Sequence, residues 1–136
     1  MANEWVKVEL YGANNDGGPR RFTVASGTAI SKGTLLAMTD ARTAVAQSSL
    51  RQACCGVAAM DKSATDLSTS ISAWTNGIFE AKASGAITVG NAVMASEPAN
   101  TVILANTASI ASGAKVIGYA LETAADAETI NVRLNL

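Results

Sequence analysis

The sequence predicts an all-β fold, a small barrel or sandwich of short strands with an extended N-terminal arm, and three observations carry that reading. Short apolar segments recur along the 136 residues with almost no 3.6-residue periodicity. Gly, Asn, Asp and Ser punctuate them at close spacing, as in small β-proteins. One phrase also occurs twice: Ser26-Gly27-Thr28-Ala29-Ile30-Ser31-Lys32-Gly33-Thr34-Leu35-Leu36 is answered by Ser84-Gly85-Ala86-Ile87-Thr88-Val89-Gly90-Asn91-Ala92-Val93-Met94. Ile30, Gly33 and Leu36 match Ile87, Gly90 and Val93 at a constant offset of 57. An apolar anchor, a glycine able to take positive φ and a short apolar strand describe a sharp corner. The echo continues from Gly56-Val57-Ala58-Ala59 to Gly118-Tyr119-Ala120-Leu121, and from Thr69–Trp74 to Glu128–Arg133. Two copies suit two halves of one closed core better than a solenoid, which needs more. The expected organisation is an arm with first strands over residues 1–25 and a compact β domain over 26–136, with pseudo-repeats at 26–82 and 84–136.

In chain order, residues 4–11 alternate as a strand, with Trp5, Lys7, Glu9 and Tyr11 on one face and Val6, Val8 and Leu10 on the other. Residues 12–19 are a polar loop, and 20–25 restart β-structure. Residues 35–38 form a short buried strand, 39–43 a loop, and the stretch to Ala53 is indistinct, with room for one helical turn at 48–52. Residues 54–60 form a small-residue strand and 61–66 a polar turn. Strands at 70–74 and 78–82 flank Asn76-Gly77, the strongest short hairpin signal in the chain. In the second half, strands are expected at 92–95, 101–104, 116–122 and 129–134, with turns at 97–100 and 123–127. Residues 105–115 read as a loop or frayed helical turn.

Charged residues make up 15 % of the chain, well below the roughly 25 % of ordinary soluble domains. Either part of the surface is hidden against a partner, or small uncharged Ala, Ser, Thr and Asn cover the outside. The net charge of −1 gives no electrostatic footprint for nucleic acid or an anionic membrane, and no apolar run reaches the ~18 residues of a membrane span. No apolar signal-peptide core is visible near Met1. Adjacent Cys54 and Cys55 cannot bridge each other without strain, so buried thiols in a reducing compartment are expected.

Chemistry is sparse. With no histidine in the chain, Ser-His-Asp and Cys-His arrangements are impossible, and two adjacent cysteines cannot build a tetrahedral zinc site. Asp61, Asp66 and Asp126 sit in turns, where acidic residues usually hydrogen-bond their own backbone. No catalytic, cofactor or metal site is expected. The candidate contact residues are Trp5, Val6, Val8, Tyr11, Arg20 and Arg21. Aromatic and arginine side chains dominate interface hot spots, although Trp5 could equally pack onto its own domain. Trp74 reads as core or barrel rim.

Taken in order, several stretches resemble the small capsid cement (decoration) proteins of tailed bacteriophages. They are the opening Met-Ala-Asn-Glu, Gly18-Pro19-Arg20-Arg21-Phe22-Thr23-Val24, Ile30–Leu36, Gly56-Val57-Ala58-Ala59, Trp74-Thr75-Asn76-Gly77-Ile78-Phe79, Ala83–Ile87 and Ile130–Leu134. The resemblance implies a non-enzymatic protein, made in the host cytoplasm, that sits on the virion capsid exterior. Its implied partners are the major capsid protein and further copies of itself, often as trimers, with neither nucleic acid nor membrane involved. Two rivals remain: a glycan- or host-surface-binding β module using Trp5, Tyr11, Trp74 or Tyr119, and a carboxylate-dependent hydrolase built on Asp61, Asp66 or Glu80.

Overall fold

The computed structural model describes residues 3–10, 19–105 and 115–136, and among them there is no helix. Eleven strands are present among these residues: β1 (Val6–Glu9), β2 (Arg20–Thr23), β3 (Leu35–Asp40), β4 (Thr43–Ala46), β5 (Cys54–Ala58), β6 (Ser70–Trp74), β7 (Asn76–Ala83), β8 (Ala92–Ala95), β9 (Thr101–Leu104), β10 (Gly118–Ala120) and β11 (Thr129–Asn135). They form two small barrels. The first closes in the order β2-β4-β3-β5-β6. The second runs β7-β11-β10-β8-β9 and closes through a parallel β7–β9 pairing, with β1 added outside on β7.

The repeat read from the sequence is a repeat of staves. β2 to β6 correspond in order to β7 to β11, and every pairing of the first barrel has its counterpart in the second. The parallel contact of Thr23 with Thr43 answers that of Lys82 with Thr101. The corner phrases match bond for bond. Ile30 and Ile87 are buried and bridge to Lys62 and Ala124, while the Gly33 and Gly90 amides donate to Ala58 O and Ala120 O, both at 2.8 Å. Gly33 and Gly90 have φ of 90° and 86°, the region glycine enters without a Cβ penalty.

Consecutive apolar residues show how the barrels pack. Leu36 points into the first barrel's own core with Phe22, Val24, Ile30 and Ile71. Its neighbour Leu35 belongs to the second cluster, with Val57, Trp74, Phe79, Val93 and Leu134. Strands buried on both faces read as unbroken apolar runs, and Leu35-Leu36-Ala37 is one. Polar bonds cross the same junction. Buried Asn100 accepts from the Leu35 amide through Oδ1 (2.8 Å) and donates its own amide to Gln47 Oε1 (2.9 Å). Gln47 Nε2 in turn donates to Ser96 O and Ser49 O, each at 2.9 Å. These groups carry no net charge, so satisfying them costs no buried ion.

Three expectations are corrected. Asn76-Gly77 makes no hairpin: β6 and β7 do not pair, and Thr75 alone carries the chain from one barrel to the other. Gly77 sits inside β7 because a Cβ there would lie 2.8 Å from Glu9 O, so the glycine admits β1. Strand β4 lies in the stretch that read as indistinct, and β3 runs through the expected 39–43 loop, leaving only Ala41 and Arg42 as the turn. Residues 48–52 form bends and turns, not a helical turn. Most of the expected 12–19 loop and 105–115 loop lies outside the described residues.

Candidate interaction surface

The structure divides the candidate contact residues among three settings. Trp5 is inside. Only 3 % of it is exposed, its ring stacks at a tilt on Phe79 (centroids 6.0 Å apart), and its Nε1 donates to Asn100 O at 2.9 Å. Its amide also donates to Gly33 O, which ties the N-terminal segment to the first corner. All four residues of β1 are exposed, Val6 by 56 % and Val8 by 49 %. Its pairing with β7 shifts register between Lys7 and Glu9. Tyr11 lies outside the described residues. Val6 also borders a shallow cavity of about 170 Å³ shared with Asn3, Glu4, Glu80 and Lys82.

Arg20 and Arg21 open β2, both exposed, at one end of the first barrel. Arg21 Nε donates to Ser70 Oγ (3.0 Å). Arg42, which the sequence reading did not single out, joins them. Its turn is set by Asp40 Oδ1 accepting from the Ala41 amide and by a φ of 51° at Arg42 itself. From there its Nη2 donates to Arg21 O at 2.8 Å, and its guanidinium lies 5.9 Å from the Phe22 ring centroid. Arg20 and Arg42 flank a groove of about 380 Å³ floored by Phe22, Met38, Cys54 and Cys55. No local motif announces Arg42; only strand pairing across 21 residues brings it to Arg21.

The remaining candidates have structural placements. Asp61 Oδ1 accepts from the Lys32 amide, Asp66 Oδ1 from the Ser68 amide and Asp126 Oδ1 from the Gly85 amide. Trp74 is buried against Phe79, so Tyr119 is the exposed aromatic among the described residues. Among those residues no group of three or more His, Cys, Asp or Glu side chains is placed to hold a metal ion. Both cysteines are free. Burial, then the neighbouring Cys55, pushes the Cys54 thiol up to about 12; burial pushes Cys55 up to about 11 against the opposing pull of a backbone hydrogen bond. Such thiols are held protonated at neutral pH.

Twin five-stranded barrels with an added N-terminal strand define an all-β protein. A model of the phage cement protein family matches residues 15–136, and the chain belongs to that family. It is a structural protein of the phage virion, and its family is one of capsid components, not of enzymes. Among solved structures it is similar to the N base of the head fiber gp8.5 in bacteriophage phi29, with 17 % identity, a TM-score of 0.56, and coverage of 86 % of this chain and 94 % of that one. At that identity the likeness speaks for the fold alone. No curated protein sequence matches the chain.

Proposed function

We propose that the protein binds the outer surface of the assembled phage capsid, as a small homo-oligomer contacting the major capsid protein, and stabilises the shell. The observation that carries this reading is the family match over residues 15–136. The physical build agrees with it. Two closed barrels sharing a core and a buried polar junction make a stiff body, as a mechanical part requires. Several protomers engaging neighbouring capsomers together would turn weak single contacts into durable attachment, because each detached contact re-forms at high local concentration.

Exposed Val6 and Val8 on the added strand β1 offer apolar area and a sheet edge of the kind that extended segments pair with. At net charge −1 such contacts outweigh long-range attraction, so decoration of shells should persist as salt is raised. Purified protein mixed with undecorated, expanded shells and imaged by electron cryomicroscopy tests the proposal. Extra density on the outer surface is expected; bare shells at micromolar protein would refute it. A Val6→Asp/Val8→Asp protein should fold normally and lose occupancy. It is a cleaner probe than deleting residues 1–11, which would also remove Trp5 from the core at a cost of about 3–5 kcal/mol.

A further inference from the structure

We propose that the outer edge of β2 at Arg21 is a seat for an acidic, extended strand supplied by the capsid partner. This rests on the shell-binding reading for the partner's identity but not for its chemistry. The argument starts from the repeat. β2 pairs with β6 through Arg21↔Ser72, and β7 pairs with β11 through Glu80↔Asn131, so Arg21 is the counterpart of Glu80. On the second barrel Glu80 is covered from outside by Val6 of β1. On the first barrel the ladder along the same edge begins only at Thr23↔Thr43, and among the described residues no strand lies beside Arg21 on the edge away from β6. The place that β1 fills on one barrel is filled by no described strand on the other.

Backbone directions agree. The Thr23 amide donates outward to Arg42 O and the Val24 amide inward to Thr69 O. Successive residues of a strand present their main-chain groups to opposite edges, so those of Arg21 point outward with Thr23. Arg21 O receives the side chain of Arg42 where a neighbouring strand would otherwise donate. An incoming strand can take over that carbonyl and release Arg42 to meet a carboxylate in the bidentate geometry that guanidinium favours.

Charge selects the occupant. Arg20, Arg21 and Arg42 gather around the seat, while the Asp40 carboxylate of the adjoining turn is engaged by the Ala41 amide. The groove alongside, floored by Phe22 and exposed Met38, has room for one apolar side chain of the same strand. The fitting partner is a segment in which acidic residues alternate with apolar ones.

Decoration of shells by the full chain, by Arg20→Glu/Arg21→Glu and by Arg20→Lys/Arg21→Lys tests this, with the near-ultraviolet dichroism of Trp5 and Trp74 confirming the fold. Charge reversal should lower affinity about tenfold or more, since it replaces attraction by repulsion at two points, and the lysine pair should stay within a few-fold of the parent. Equal affinity of all three overturns the seat. If the unaltered protein decorates no shell, the functional proposal fails and the seat is judged by titration of the full chain with alternating Val/Glu and Val/Lys hexapeptides. Shifts of the Arg21 and Thr23 amides with the Val/Glu peptide alone support the seat; equal or absent responses overturn it. Self-association abolished by the reversal would assign the edge to a second copy and overturn the acidic-partner assignment.

Discussion

Gly33 and Gly90 share a conformation but not a neighbourhood. A Cβ on Gly33 would lie 2.4 Å from Trp5 O and 2.9 Å from Glu4 Cβ, whereas one on Gly90 meets nothing within 4 Å. Gly90→Ala should therefore cost only the positive-φ penalty, about 1–2 kcal/mol. Gly33→Ala must also push the N-terminal segment away, for about 3 kcal/mol or more in total. Urea denaturation of both variants measures the difference; equal losses would mean that Trp5 does not sit against the corner. The cysteines give a pH dependence of definite sign. Their folded pKa values lie above the ordinary 9.0, so above that pH the unfolded chain sheds protons that the folded chain keeps. Stability should hold below about pH 9 and fall as pH rises toward about 11. In Cys54→Ser/Cys55→Ala that alkaline loss should shrink; an unchanged profile would place its origin elsewhere. At neutral pH an aromatic disulfide reagent should label the native thiols only after denaturant is added.

Between the corners and the staves, one element departs from the repeat. Lys62 is 4 % exposed, and its Nζ donates to Ser26 O, Thr28 O and Asp66 O at 2.9–3.0 Å, fastening two loops of the first barrel. Its counterpart Ala124 does no such thing, which shows that the corner itself does not require a cation. Lys62→Met should cost about 2–4 kcal/mol, because three carbonyls lose a charged donor, while Ala124→Ser stays near neutral. Equilibrium unfolding checks this, and a loss below 0.5 kcal/mol would make the ammonium incidental. At this scale the sequence was largely readable. The corners were visible because Ile, Gly and Leu/Val each have a distinct steric duty there. β4 was hidden because Thr43-Ala44-Val45-Ala46 alternates small residues with little apolar contrast. Asn76-Gly77 misled because its glycine answers a close approach by β1, 68 residues earlier at Glu9 O, and local turn chemistry cannot register that. Trp5 is a related case: its partners Phe79 and Asn100 are remote in sequence, so alternation alone left its packing onto the domain and a surface contact equally open.

Over the whole molecule, the barrels are joined by a shared apolar cluster and by the Gln47–Asn100 bonds. They should unfold as one unit, with calorimetric and van't Hoff enthalpies equal. Asn100→Ala leaves the buried Leu35 amide without its acceptor and should lower stability by about 1–3 kcal/mol. Two resolved transitions in the parent protein would show that the barrels are independent. The class of protein was legible from the order of the motifs along the chain, which the family match over residues 15–136 bears out. The proposed interaction surface was legible only in part: Arg20 and Arg21 stood out as side chains, but the edge of β2 that meets Arg42 exists only once β2, β4 and β6 have paired. Stiffness of this kind has a use if it is passed to the shell, and heat-induced genome release measures that directly. Particles lacking the protein should release DNA at a lower temperature than decorated ones, and adding purified protein back should restore the difference. Identical release temperatures at full occupancy would contradict a stabilising role.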